Sequence, residues 1–170
     1  MTMAPTLPLS VLLAIVLAPL ASASIVGIFG TAAGGSLLSN KAAHRIGSAC
    51  VAVAGALSFW VLWQVVQGAR FNQTIYEWMR VGDLRMEIGF MIDGMTAMMM
   101  CVVTFVSLMV HIYSTGYMHG DASYNRFFAY ISLFTFAMLI LVMGNNLFQL
   151  FVGWEGVGVA SFLLIGFWFD

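Results

Sequence analysis

Residues 147–169 read LFQLFVGWEGVGVASFLLIGFWF, and this stretch carries a single ionisable side chain, Glu155. An α-helix rises 1.5 Å per residue, so about 20 apolar residues are enough to cross the roughly 30 Å hydrocarbon core of a membrane. The stretch therefore predicts a transmembrane helix that holds one carboxyl group inside the membrane.

The composition of the whole chain is typical of a membrane protein. Of its 170 residues, 62% are hydrophobic and 8% are charged, against roughly a quarter charged in soluble domains. The mean hydropathy is +0.98, which leaves too little polar surface to cover a soluble globule. The net charge of −1 gives no electrostatic reason to expect a nucleic-acid partner.

Four further apolar stretches are long enough, or nearly long enough, to cross a membrane. With the stretch quoted above, the predicted spans are Leu7–Phe29, Ile46–Val66, Ile88–Tyr113, Phe127–Met143 and Leu147–Phe169. The sequence thus predicts an all-α membrane protein of about five transmembrane helices.

The segment between the second and third spans has a different pattern. Residues 67–87 contain three arginines and three acidic residues, and TIYEWMRV and LRMEIGF alternate loosely between polar and apolar residues. Such alternation favours a short β-hairpin on the membrane surface. The expected organisation is two helices in 1–66, an extramembrane loop in 67–87 and three helices in 88–170.

The orientation in the membrane does not follow from the charge count. Lys41, Arg45 and Arg126 lie on one side of the predicted bundle, and Arg70, Arg80 and Arg85 lie on the other. The positive-inside rule compares the number of Lys and Arg residues on the two sides, and each side here has three.

The position of Glu155 makes it the main candidate for function. It lies eight residues, about 12 Å, into the helix that begins at Leu147. A charge at that depth is costly unless the group takes up a proton or meets a cation on a neighbouring helix. We therefore interpret Glu155 as a proton-relay residue, the alternative being a carboxyl group that ties helices together by hydrogen bonds.

Small residues surround this carboxyl group. Gly153, Gly156 and Ala160 follow a spacing of three and four, which predicts a small-residue stripe where another helix packs closely. Gly158 lies one helical turn beyond Glu155 and is expected to leave room beside the carboxyl group.

Two other polar residues near predicted span ends are secondary candidates for a proton path. Asp93 lies near one end of the third predicted helix, where capping that end is the simpler role. His111 lies near the other end, and its titration range suits proton transfer, although an interfacial hydrogen-bonding role is the simpler reading. His44 and His119 are expected in loops without a functional role.

No cofactor and no metal are expected in this chain. Cys50 and Cys101 stand alone in apolar stretches, with no CxxC pair and no Cys/His cluster, so neither a zinc site nor an iron–sulfur site is predicted. We expect both to be small buried residues. A haem would need two facing axial ligands, and only His111 is near a span.

The second half of the chain resembles a known family. The stretches GFMIDGMTAMMMCVVTFVSLMVHIYSTGYM and RFFAYISLFTFAMLILVMGNNLFQLFVGWEGVGVASFLLIGFW are similar to the L subunits, or subunits 5 in mitochondria, of respiratory complex I. The likeness is strong over residues 85–169 and looser before them. The combination of GWEGVG with SFLLIGFW is its most specific part.

The resemblance implies a role in proton translocation by NADH:quinone oxidoreductase. Members of the family are antiporter-like proton channels built from inverted five-helix repeats, and they carry no redox cofactor. Their motif glutamate corresponds to Glu155 here and is partnered by a lysine on a later helix. The family also implies a bacterial inner-membrane location, other complex I membrane subunits as partners, and a periplasmic N-terminus and hairpin loop.

The sequence departs from this family in its length. It stops at Asp170, and its only lysine, Lys41, is predicted to lie in a loop. We expect the chain to be a fragment or one piece of a split subunit, with the partner lysine on the missing C-terminal part. The rival interpretations are a cation/proton antiporter subunit of the Mrp type and a non-transporting assembly or anchor protein.

Overall fold

Five helices and one hairpin make up the described part of the chain. The computed structural model describes residues 7–31, 37–82 and 84–168. The elements are α1 (Leu9–Phe29), α2 (Asn40–Val66), β1 (Phe71–Val81), β2 (Leu84–Ile92), α3 (Gly94–Tyr117), α4 (Tyr124–Met143) and α5 (Leu147–Ile165). All five helices are long and apolar enough to cross a membrane. The predicted fold class, five membrane-spanning helices with a small hairpin after the second, is confirmed.

The hairpin is longer than the sequence predicted. Strands β1 and β2 pair antiparallel, with Phe71 opposite Ile92 and Thr74 opposite Gly89. The third helix was predicted to begin at Ile88, which is wrong, because residues 88–92 belong to β2 and the helix begins at Gly94. The side chain of Asp93 accepts a hydrogen bond of 2.8 Å from the N–H of Thr96 and so fixes the start of α3.

The second helix also begins earlier than predicted. It starts at Asn40, six residues before Ile46, because Ser39 caps it by accepting a hydrogen bond of 3.3 Å from the N–H of Ala42. The basic residues that were assigned to a loop, Lys41 and Arg45, therefore lie in the first turns of α2.

Helix α4 is the centre of the bundle. It packs against α1, α2, α3 and α5, whereas α5 packs mainly against α4 and makes a smaller contact with β2. Buried apolar side chains form two clusters. One includes Leu12, Met100 and Leu139 near the hairpin end, and the other includes Val26 and Phe128 near the opposite end. Helix α5 is consequently the most exposed of the five helices.

Candidate functional site

Helix α5 carries Glu155 at mid-height. Asn146 caps this helix by accepting a hydrogen bond of 2.8 Å from the N–H of Gln149. Glu155 follows the first helical residue, Leu147, by eight positions and precedes the last, Ile165, by ten, which places it about 12 Å and about 15 Å from the two ends. The carboxyl group is therefore in the middle third of the helix.

The side chain of Glu155 points away from the bundle. It is exposed, whereas Gly153 and Ala160 are buried on the opposite side of α5, against α4. Among the described residues, no hydrogen bond or ion pair is found for the Glu155 side chain. The carboxyl group thus lies on a helix face that no described part of this chain covers.

The small residues of α5 divide between its two faces. A Cβ added at Gly153 would lie 2.8 Å from both the Cα and the backbone N of Leu141 in α4, and one at Gly156 would lie 3.1 Å from the Cβ of Ala137. Ala160 is fully buried. Gly158, in contrast, has no atom within 4 Å of an added Cβ. The first three residues line the contact with α4, and Gly158 is on the open side with Glu155.

A set of amide side chains connects the start of α5 to the hairpin. The side-chain oxygen of Gln149 accepts a hydrogen bond of 2.9 Å from the N–H of Gly89, and its side-chain NH₂ donates to the carbonyl of Ile140 at 3.3 Å. The side-chain NH₂ of Asn146 donates to the carbonyl of Glu87 at 2.9 Å. This connection was not predicted from the sequence, although a glutamine among apolar residues signals a side chain that needs hydrogen-bond partners.

The end of α5 is also held in place. The guanidinium of Arg126, near the start of α4, donates a hydrogen bond of 3.1 Å to the carbonyl of Phe167 and lies 4.8 Å from the centre of its ring. Helix α5 is therefore fixed at both ends, with its Glu155 face open between them.

Asp93 lies at the hairpin end of the bundle and acts as the cap of α3. The N–H of Thr96, which donates to its carboxylate, holds the pKa of Asp93 below its ordinary value, and the Thr96 hydroxyl, the N–H of Met95 and Arg70 act in the same direction. This environment favours an ionised carboxylate. The partners of Asp93 among the described residues are Thr96, Met95 and Arg70, and none of them belongs to α5.

His111 lies inside the helix bundle, packed against neighbouring helices. Helix α3 continues for six residues beyond it, to Tyr117, and the imidazole is completely buried. Its Nδ1 lies 2.8 Å from the carbonyl oxygen of Ser107, and its Nε2 lies 3.1 Å from the hydroxyl of Ser132 in α4. The hydropathy pattern could not reveal this position, because a helix that is apolar all round does not show which face is buried.

His44 has a structural contact that the sequence did not predict. It lies in α2 rather than in a loop, and its Nδ1 is 3.0 Å from the hydroxyl of Tyr124. Phe128 lies between the two histidines, with ring centres 6.3 Å from His44 and 5.9 Å from His111. His119 is in the turn after α3, as expected.

The expectation that both cysteines are buried holds for Cys101 but not for Cys50. Cys101 is buried, Cys50 is half-buried, and both are free thiols. No group of three or more His, Cys, Asp or Glu side chains suited to a metal ion occurs in residues 7–31, 37–82 and 84–168.

Comparison with known proteins finds relatives that match almost the whole length of this chain. Residues 78–128 match a family described as NADH-ubiquinone oxidoreductase (complex I), chain 5 N-terminus. The chain is 52% identical over 160 residues to NADH-quinone oxidoreductase subunit L of Neisseria meningitidis serogroup B, covering 92% of this chain and 23% of that protein. It is 40% identical over 159 residues to NAD(P)H-quinone oxidoreductase chain 5 of Synechocystis, covering 89% of this chain and 22% of that protein.

A eukaryotic relative shows the same pattern. NADH-ubiquinone oxidoreductase chain 5 of Dictyostelium citrinum is 40% identical over 152 residues, covering 89% of this chain and 22% of that protein. The chain therefore spans less than a quarter of the length of these relatives.

Proposed function

Because the chain is homologous to the N-terminal part of the L/chain 5 subunits of complex I, we propose that it is part of a proton-translocating membrane subunit of NADH:quinone oxidoreductase. In this role it contributes Glu155 to the proton path and carries no redox cofactor. The observation that supports this role is the position of the Glu155 carboxyl group, at mid-height on a membrane helix and on a face that the described chain leaves open.

The chemistry of Glu155 depends on what covers that face. In a membrane an exposed carboxylate is costly, so the group either carries a proton or pairs with a cation. A lysine on a helix from the remaining part of the subunit is the partner that we assign to it. Approach of the ammonium group favours the carboxylate and releases a proton, and withdrawal of the ammonium group favours proton uptake.

The packing of α5 suits such a device. The close contact of Gly153 with Leu141 and the hydrogen bond between Gln149 and Gly89 hold the helix against α4 and the hairpin. Movement of the partner cation can then change its distance from Glu155 without displacing α5. Redox energy released elsewhere in the complex reaches Glu155 as a coupling free energy between the redox site and the Glu155 site.

The same proposal includes a location and partners. The five spans form a multi-pass membrane protein, which we assign to the bacterial inner membrane with the N-terminus and the hairpin on the periplasmic side. Other membrane subunits of complex I and the lysine-bearing remainder of the subunit are its partners.

Replacement of Glu155 by Gln in the full-length subunit tests the proposed function. Inverted membrane vesicles that contain the assembled complex are supplied with NADH, and proton uptake is measured together with NADH oxidation. Glu155→Gln lowers the number of protons moved per NADH because the amide cannot carry a proton. Glu77→Gln, which changes an exposed carboxylate of β1, is the control and leaves the ratio unchanged.

Two results would contradict the proposal in different ways. A Glu155→Gln variant with the wild-type ratio but less assembled complex makes Glu155 a helix-packing group of an anchor protein. Sodium-dependent proton movement without NADH oxidation points to an antiporter subunit of the Mrp type.

A further inference from the structure

Three glycines in the middle of α5 do not all face the same way. Gly153 packs against α4, where an added Cβ would lie 2.8 Å from backbone atoms of Leu141, and Gly156 packs against the same helix. Gly158 follows Gly153 by five residues, which is about 140° around the axis of a helix with 3.6 residues per turn. An added Cβ at Gly158 meets no atom within 4 Å. Gly158 therefore faces away from α4.

The outer face of α5 around Gly158 is made of large apolar side chains. Trp154 precedes this glycine by four residues and Phe162 follows it by four, so the two flank it on the helix surface. Both are mostly exposed, at 65% and 75%, and Gly158 itself is exposed. The glycine thus forms a gap between two bulky rings on a face that no described part of the chain covers.

This gap lies beside the carboxyl group of Glu155. Residues three or four positions apart are neighbours on a helix surface, and the neighbours on the C-terminal side of Glu155 are Gly158 and Val159. Helical side chains lean towards the N-terminus of their helix, so a side chain at either position extends over Glu155. Val159 occupies one of the two positions, and Gly158 leaves the other open.

A glycine at this position has a cost that the packing of this chain does not explain. Glycine favours a helix less than any other residue except proline. Small residues in membrane helices are typical of places where a second helix approaches closely, as Gly153 shows on the inner face. The same reasoning predicts a close helix contact at Gly158 on the outer face.

The charge on this face selects the kind of partner. Glu155 is the one ionisable side chain in residues 147–169, so an element packed at Gly158 meets a single carboxyl group about one helical turn away. Inside a membrane this group is stabilised by a cation brought close to it. A positively charged side chain on the packed element complements it.

We propose that Gly158 is a positioning residue, at which the element that carries the partner cation of Glu155 packs against α5. The missing side chain lets that element approach closely, and the size of residue 158 sets the shortest distance between the cation and the carboxylate. This inference rests on the proposed function, since it takes Glu155 to be the group that needs a partner.

The distance matters because attraction between two charges falls as they separate and is strong in a medium of low polarity. A side chain at residue 158 holds the packed element away from α5 and weakens the control of the cation over the proton on Glu155. Residue 158 touches neither the proton nor the cation, and it acts only through this spacing.

A series of side-chain sizes in the complete complex tests the spacing. Gly158→Ala lowers the number of protons moved per NADH oxidised by assembled complex in inverted vesicles, and Gly158→Leu lowers it to the level of Glu155→Gln. Alanine favours the helix over glycine, so a loss of pumping in Gly158→Ala does not come from a weaker helix.

Val152→Leu is the matched control. Val152 is also a helix-surface neighbour of Glu155 and is exposed, but its side chain leans away from the carboxyl group. This variant keeps the wild-type ratio.

The failure of this inference differs from the failure of the proposed function. A wild-type ratio in Gly158→Leu, in vesicles where Glu155→Gln lowers pumping, overturns the role of Gly158 and leaves the proposed function intact. If Gly158→Leu does not assemble, a wild-type ratio in Gly158→Ala has the same meaning. A wild-type ratio in Glu155→Gln contradicts the proposed function itself.

Photo-cross-linking gives a test that does not depend on pumping. A short side chain that carries a diazirine replaces Gly158 in the complete complex, and the products formed on illumination are identified by mass spectrometry. We expect cross-links to a lysine-containing segment of the same subunit beyond residue 170. Cross-links to lipid alone, or to another subunit alone, overturn the inference.

Discussion

Gly153 of α5 lies directly against the backbone of Leu141 in α4, at a distance that leaves no space for a methyl group. An added Cβ would approach the Cα and the backbone N of Leu141 to 2.8 Å. Because backbone atoms of a packed helix cannot move aside cheaply, this contact fixes how closely α5 can approach the bundle and which way Glu155 faces.

Gly153→Ala should therefore destabilise the packing of α5. Overpacking of this kind costs about 1–3 kcal/mol, measured as the free energy of unfolding of the chain in detergent. Gly158→Ala is the matched control, because an added methyl meets nothing within 4 Å, and it should raise stability by up to about 1 kcal/mol because alanine favours a helix over glycine. Equal effects of the two substitutions would show that the close approach to Leu141 does not determine the packing.

Gln149→Leu should loosen the hairpin. The N–H of Gly89 loses its acceptor at 2.9 Å, and a buried unpaired donor costs about 1–3 kcal/mol. Hydrogen exchange at Gly89 should become roughly tenfold faster or more. Gln73→Leu, at an exposed position of β1, should leave this rate unchanged, and an unchanged rate in Gln149→Leu would mean that the amide does not hold the strand.

Asp93 should make the stability of the chain depend on pH at the acidic end. Its folded-state pKa is lowered by the N–H of Thr96, so its contribution is present above the unfolded value of about 3.9 and is lost as the pH falls through the folded value. Asp93→Asn keeps a capping side chain but does not titrate. The wild-type chain should lose stability relative to this variant below about pH 5, and parallel unfolding curves would contradict the role of the charge.

The orientation of the chain can be tested by labelling. Cysteines are introduced at Glu77 in the hairpin or at Lys41 in α2, after Cys50 and Cys101 have been replaced by alanine. A membrane-impermeant maleimide added to intact cells should react at position 77 and not at position 41. The reverse pattern would place the hairpin and the N-terminus in the cytoplasm.

Hydropathy was sufficient to predict the number of helices but not all of their ends. Residues 88–92 are apolar and join a longer apolar run, so hydropathy alone cannot tell the end of a buried strand from the start of a helix. The cap signals were nevertheless present in the sequence, as Asp93 before Gly94 and Ser39 before Asn40 show. If these cap signals are given more weight than hydropathy, the sequence predicts the observed first residues of α2 and α3.

The candidate site was only partly accessible from the sequence. The depth of Glu155 follows from counting along one helix, and the small-residue stripe follows from its spacing. The burial of His111, and its contacts with Ser132 and Ser107, depend on how α1, α3 and α4 pack around one another. Because these helices are apolar on all sides, no periodicity in the sequence indicates which serine faces which helix.

Infrared difference spectroscopy of the carboxyl C=O stretch tests the central proposal most directly. The complete complex is driven through turnover with NADH in membrane vesicles, and the spectrum of the Glu155→Gln variant is subtracted from that of the wild type. We expect a protonated-carboxyl band from Glu155 that changes during turnover and is absent in the variant. Identical spectra, with no band that belongs to Glu155, would contradict the proposal that this residue carries a proton.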